Sequence, residues 1–236
     1  IALAYQDALK RDARNSQARL GLISLHVRHR EMDAATAQVN KLRELEPEAI
    51  PTVYFSTMLA LEKRDMKVAR EGADQLLKLA PENVAVLQLV GAVEFENASY
   101  GQSAAHLGKA LLRAGDSVSV RVMLARALIR SGELKKAVSA LQPLIGDSPN
   151  LDALTLAADA YTGLGDANRA KQLYQRAVSL NPKNQTARGA LAITDINEGR
   201  MEQGLRALQQ LAQSSDSAQV DLLLFGANLQ ARRFDD

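Results

Sequence analysis

An all-α, right-handed superhelical solenoid of helix-turn-helix repeats is what this sequence predicts, on three residue columns that share one period. The first column is Pro182, Pro149, Gly115, Pro81, Pro47 and Ala13, at steps of 33, 34, 34, 34 and 34. The second is a small residue: Ala35, Ala69, Ser103, Ala137, Ala170 and Gly204. The third lies four residues further on: Val39, Ala73, Leu107, Leu141, Tyr174 and Leu208. A single helix hairpin cannot bury its own apolar face, so a period of this length points to stacked neighbours.

Taken in order, residues 1–15 read as the second helix of an earlier repeat. Complete repeats follow at about 16–49, 50–83, 84–117, 118–150, 151–184 and 185–218. Residues 219–236 read as the first helix of a later one. The turns inside the repeats are HREMDAA, KRDMKVA, NASYGQS, SGELKKA, LGDANRA and EGRMEQG. The unit at 151–184 shows the local logic best. Leu154, Ala157, Ala158 and Tyr161 recur at helical spacing. Gly165 suits the left-handed residue that ends a helix, and Asp166 is a good N-cap for the next. Ala170, Leu173, Tyr174, Ala177 and Val178 form the second stripe, and Asn181-Pro182 stops it. Small Ala158 and Ala170 predict close helix packing. Pro143, inside a second helix, predicts a kink or shortening there.

The bulk numbers exclude several classes. Lys plus Arg exceed Asp plus Glu by only two, with the signs interspersed and no basic stripe carrying aromatics, so nucleic acid is not expected as a partner. No apolar run is long enough to span a bilayer. The absence of cysteine removes disulfides, thiolate metal sites and thiol nucleophiles. His26 and His29 are three apart on one helix, but zinc wants three or four ligands and no close third one follows. Gly163-Leu164-Gly165 resembles part of a phosphate loop without a preceding strand. Glu62 and Glu96 hold equivalent places in successive repeats and read as solvated edge charges. Neither a cofactor nor a metal is expected, and the chain reads as no enzyme.

The 34-residue helix-turn-helix period is that of the tetratricopeptide repeat. In that family the first helix of each pair lines a concave groove. The resemblance then places Gln17, Leu20, Ser24 and Val27 there, with Tyr54, Met58 and Leu61, then Gln88, Ala92 and Phe95. Val122, Arg126, Ile129 and Arg130 follow, then Thr155, Asp159 and Thr162. An apolar centre with a charged flank suits a peptide groove. The candidate partner-binding residues are therefore Tyr54, Met58, Leu61, Gln88, Phe95, Arg126 and Arg130. Arg126 and Arg130 are four apart and share a helix face, placed to fork onto a partner's carboxylate. A salt-bridge ladder from Arg126 to Asp159 is the competing expectation. Leu20, Ser24, Phe55 and Met58 stand where chaperone-binding relatives carry a Lys/Asn carboxylate clamp, so that activity is not expected. Glu94 occupies the column that Tyr161 fills, and is expected at a helix edge or hydrogen-bonded.

Three further stretches, LVGAVEFENASYGQSAAHLGKAL at 89–111, ALQPLI at 140–145 and SAQVDLLLFGANLQARRFDD at 217–236, resemble the tetratricopeptide lipoprotein family of bacterial PEP-CTERM/exosortase systems. That resemblance implies an interaction scaffold at a bacterial cell envelope, periplasmic and lipid-anchored, in sorting or export of PEP-CTERM proteins with exopolysaccharide. The expected partner is an extended or helical segment of another protein. A structural spacer in a secretion assembly is the first alternative. Polysaccharide binding is the second, and 4% aromatic residues with no tryptophan offer it little stacking surface. The chain starts at Ile1 in what reads as mid-helix and ends where a second helix would begin, so it reads as a fragment of a longer protein. The end helices, with Ala4, Tyr5, Ala8 and Leu9 and with Leu222, Leu223, Leu224 and Phe225, are expected to expose apolar side chains and to self-associate.

Overall fold

The computed structural model describes residues 1–214 and 217–231. Among them it contains α-helices, one short 3-10 turn and no strand. Its contacts divide the chain into two compact units, 1–120 and 121–236. The first unit holds α1 (Ala2–Arg11), α2 (Ser16–Arg28), α3 (Met32–Leu45), α4 (Ile50–Glu62), α5 (Met66–Leu79), α6 (Val84–Glu96) and α7 (Tyr100–Ala114). Helix α8 (Val118–Arg130) starts in the first unit and supplies the first helix of the second. The second unit continues with α9 (Leu134–Leu141), α10 (Leu151–Gly163), α11 (Ala167–Leu180), α12 (Gln185–Asn197), α13 (Met201–Gln213) and α14 (Ala218–Gln230).

Six of the helices begin where a side chain can satisfy their first amides. Asn15, Asp65, Asn83, Asn150, Asp166 and Asn184 each accept a hydrogen bond from a backbone N–H two or three residues on. A cap of this kind is worth about 1 kcal/mol. Inside the pairs the turns close on a left-handed residue, glycine at 132, 165 and 199 but Arg30, Arg64 and Ala98 in the first unit. The second helices bury one stripe each, as α5 does with Ala69, Ala73 and Leu76. First helices such as α6 bury most of their circumference, with Val86, Leu87, Leu89, Val90, Gly91 and Val93 all inside. An element flanked on both sides needs apolar residues all round.

The core is distributed rather than central. In the first unit Ile23, Ala35, Val39, Leu42 and Leu59 form one cluster. Val53, Ala60, Ala69, Ala73, Leu76, Val86, Leu89, Val90 and Val93 form another. In the second unit, Ala158 and Ala170 are 0% and 3% exposed and share a cluster with Leu154, Leu173 and Tyr174. Small residues set the closest approach. At Gly204 an added Cβ would lie 2.5 Å from the carbonyl oxygen of Ala192. Pro143 has the expected effect: α9 stops at Leu141 and passes into a 3-10 turn at Gln142–Leu144, which seats Ile145 in the core at 7% exposure.

The end helices correct one expectation. Tyr5, Ala8 and Leu9 are half-buried, not exposed, because α1 packs on α2 and the Tyr5 ring fills the space over Gly21. Leu223 and Leu224 are likewise half-buried, against the cluster of Ala192, Ile196 and Leu208. Only Ala4, Leu222 and Phe225 of the eight are exposed, joined by Ile1, Leu3 and Leu229.

Candidate functional site

In the first unit α4 packs between α3 and α5 and also touches α6, so two first helices lie side by side. Tyr54, Met58 and Leu61 occupy positions i, i+4 and i+7 of α4 and share one stripe. Gln88, Ala92 and Phe95 hold the equivalent stripe of α6, 34 residues on. All six are half-buried. Tyr54, Met58 and Leu61 lean on the cluster that contains Val86, Val90 and Val93. They therefore join the core between neighbouring pairs while keeping part of their surface outside. Tyr54 meets the edge of Phe55 at 5.5 Å between ring centroids, and Phe95 meets Tyr100 at 5.3 Å. Edge-on aromatic pairs fix ring orientation at a modest energetic gain. Burial pushes the Tyr54 phenol up from its ordinary pKa, so it remains a neutral donor.

Arg126 and Arg130 stand exposed on α8, within the second unit. The five other candidates belong to the first unit. The Arg126 to Asp159 ladder is not formed. Arg126 Nη2 lies 3.6 Å from Asp152 Oδ2 instead, with both side chains more than half exposed. Asp159 accepts a 2.6 Å hydrogen bond from the Tyr174 hydroxyl. The reason is depth: Asp159 is half-buried beside the buried Tyr174, and this burial drives its pKa up despite the phenol. A group so placed is served by a short neighbouring donor rather than by an exposed guanidinium.

Two of the three histidines are paired with carboxylates. The His26 ring is 2.6 Å from Glu31, and His106 Nδ1 is 2.9 Å from Glu94. Among the described residues no group of three or more His, Asp or Glu side chains could hold a metal ion. Glu94 takes the hydrogen-bonded option, joining α6 to α7. The Glu94–His106 and Asp159–Tyr174 pairs are contacts that sequence spacing did not bring together. The columns that hold Glu94 and Asp159 also hold His26 and Asp195, and Ser24 and Arg126, so the column pattern alone did not mark these pairs.

Two adjacent stretches of the chain, 94–160 and 161–224, together more than half of it, match the tetratricopeptide repeat family. No curated protein matches the sequence. Among solved structures the fold is similar to YrrB, described as a TPR protein with an unusual peptide-binding site, at 20% identity and a TM-score of 0.65, over 79% of this chain and 97% of that one. It is similar to a tetratricopeptide repeat protein from Parabacteroides merdae at 15% identity and a TM-score of 0.67, over 96% and 90%. It is also similar to PilW, a type IV pilus biogenesis factor, at 18% identity and a TM-score of 0.70, over 80% and 88%.

Proposed function

The chain belongs to the tetratricopeptide repeat family, and from that premise we propose that it is a non-catalytic scaffold holding a segment of another protein against α4 and α6. One observation carries this reading. Tyr54, Met58, Leu61 and Phe95 are large, half-buried side chains on adjacent first helices, the first three anchored on the core and Phe95 held edge-on by Tyr100. Anchored aromatics and methionine lose little freedom on contact and adapt to a partner's shape. The peptide-binding site of YrrB, a structure of the same fold, supports the partner class. Arg126 and Arg130, on α8 of the second unit, are proposed separately as exposed cations for a carboxylate. The finer setting, a bacterial envelope in PEP-CTERM and exopolysaccharide export, rests on the resemblance of residues 89–111, 140–145 and 217–236 to that lipoprotein family. Self-association is a second proposal, favoured by the exposure of Leu222 at 70% and Phe225 at 67%.

The test is photo-crosslinking from positions 54, 58 and 95 in the native organism, with exposed Lys67 on α5 as the control position. A hot-spot aromatic is worth about 2 kcal/mol or more, roughly thirty-fold in affinity. Tyr54→Ala with Phe95→Ala is therefore expected to abolish the crosslinked partner's binding with helix content intact. Unchanged affinity in a folded double variant moves the spacer reading ahead.

A further inference from the structure

Three of the turns inside the helix pairs carry glycine at their left-handed residue, with φ of 81, 78 and 86° at Gly132, Gly165 and Gly199. The first unit carries Arg30, Arg64 and Ala98 there, at 60, 57 and 58°. A Cβ at such a residue crowds the following carbonyl oxygen, so a side chain is held against a backbone preference. Strain of this kind clusters where a side chain has a task. Ala98 gains no chemistry from it. Arg30 and Arg64 each gain a guanidinium at the tip of successive turns, flanked by Arg28 and Lys63, and all four are exposed. Among the described residues, Arg28, Arg30 and Arg64 enter no side-chain hydrogen bond or ion pair. The carboxylates between them are partly committed. Glu31 is held by His26 at 2.6 Å, and Asp65 caps α5 through the Val68 amide at 3.2 Å. Asp33 and Glu62 stand at the flanks.

We propose that the turn edge formed by Arg28, Arg30, Lys63 and Arg64 binds spaced carboxylates of an acidic protein segment. Guanidinium matches carboxylate in planar, two-pronged hydrogen bonds. The chemistry favours separate carboxylates over a uniform polyanion, because Asp33 and Glu62 oppose continuous negative charge and the patch is short. This edge lies at the turns, where the Arg64 amide donates to the Leu61 carbonyl at 3.0 Å at the end of the α4 stripe, and its carboxylate chemistry does not draw on the apolar side chains of that stripe.

The experiment measures fluorescence anisotropy of a labelled Glu/Gly/Ser peptide and of its Gln/Gly/Ser counterpart, at low and moderate salt. The glutamate peptide is expected to bind at least about tenfold more tightly, and salt is expected to weaken it. Arg30→Gly with Arg64→Gly is expected to erase most of that preference while raising the melting temperature. Ala98→Gly is expected to raise the melting temperature and leave binding alone. Equal binding of the two peptides overturns the proposal, as does full binding by the double arginine variant. A melting temperature that falls in the glycine variants removes the strain on which it rests. Binding to phosphatidylglycerol vesicles with no preference between the peptides also overturns it.

Discussion

The hydroxyl of Tyr174 donates to Oδ1 of Asp159 across 2.6 Å, and this bond ties α11 to α10 where Tyr174 is only 4% exposed. Burial raises both pKa values, and the nearby Asp159 charge raises that of the phenol further. The hydrogen bond lowers the pKa of Asp159 and so opposes its burial. Tyr174→Phe leaves a half-buried carboxylate without its donor, which costs about 1 kcal/mol. The sign with pH follows. Asp159 has a folded pKa above its unfolded value, so its favourable contribution is present below the unfolded pKa and is lost as pH rises through the folded one. Removing the donor raises the folded value again. Urea melts are expected to show a larger Tyr174→Phe penalty at neutral pH than in acid, and a pH-independent penalty would show that Asp159 is not its source.

Glu94 presents the same physics with a different donor. Burial raises its pKa first, His106 opposes that through a hydrogen bond and charge, and Asp74 adds to it. The raised folded value means stability from this group is present in acid and lost as pH climbs through it. Glu94→Gln keeps a polar partner for His106 and removes the ionisation. It is expected to equal or exceed the parent in stability at neutral pH, with the difference closing in acid. Thermal melts across that range decide it, and a variant weaker than the parent at neutral pH would mean the charged pair itself stabilises the α6–α7 contact.

Glycines separate by what surrounds them. Gly101 and Gly108 lie within α7, where an added Cβ meets nothing within 4 Å. Alanine at either is expected to stabilise by roughly 0.5–1 kcal/mol, through helix preference and a less disordered unfolded chain. At Gly204 the new methyl would sit 2.5 Å from the Ala192 oxygen and 2.4 Å from Ile196 Cγ1. Gly204→Ala is expected to cost roughly 1–3 kcal/mol. Chemical denaturation of the three variants checks the ordering.

Arg126 and Asp152 make the exposed pair of α8 and α10, at 3.6 Å with side chains 51% and 64% exposed. A pair so open contributes on the order of 0–1 kcal/mol. Arg126→Ala is therefore expected to leave the melting temperature nearly unchanged. Thermal melts of the parent and the variant at two salt concentrations check it.

The helices were legible because their signals are local and repeated. Asp166 and Gly165, Asn181 before Pro182, and Pro143 all act within a turn of their own position, and each does in the structure what its chemistry requires. The candidate stripes were legible as columns, since a period places Tyr54 over Gln88 and Leu61 over Phe95. How deep each side chain sits was not legible. Depth depends on the neighbouring pair, and so Asp159 was assigned to Arg126 when its partner is Tyr174 on the following helix. The same gap explains Tyr5, whose ring is covered because residue 21 is glycine.

The last prediction concerns α14. Leu222, Phe225 and Leu229 fall at i, i+3 and i+7 and are 70%, 67% and 53% exposed, so they form one open stripe. Phe225 holds the column of Ala192, Ala158 and Ala125, which are 2%, 0% and 0% exposed under a following helix. Truncating an exposed side chain removes little burial, so Leu222→Ser with Phe225→Ser is expected to change stability by about 0.5 kcal/mol or less. Contact between copies through the stripe would bury those side chains, and each is worth roughly 1.5–3 kcal/mol when fully covered. Sedimentation velocity over a concentration series is therefore expected to show association in the parent chain and its loss in the double variant. A parent that remains monomeric at high concentration excludes self-association through α14.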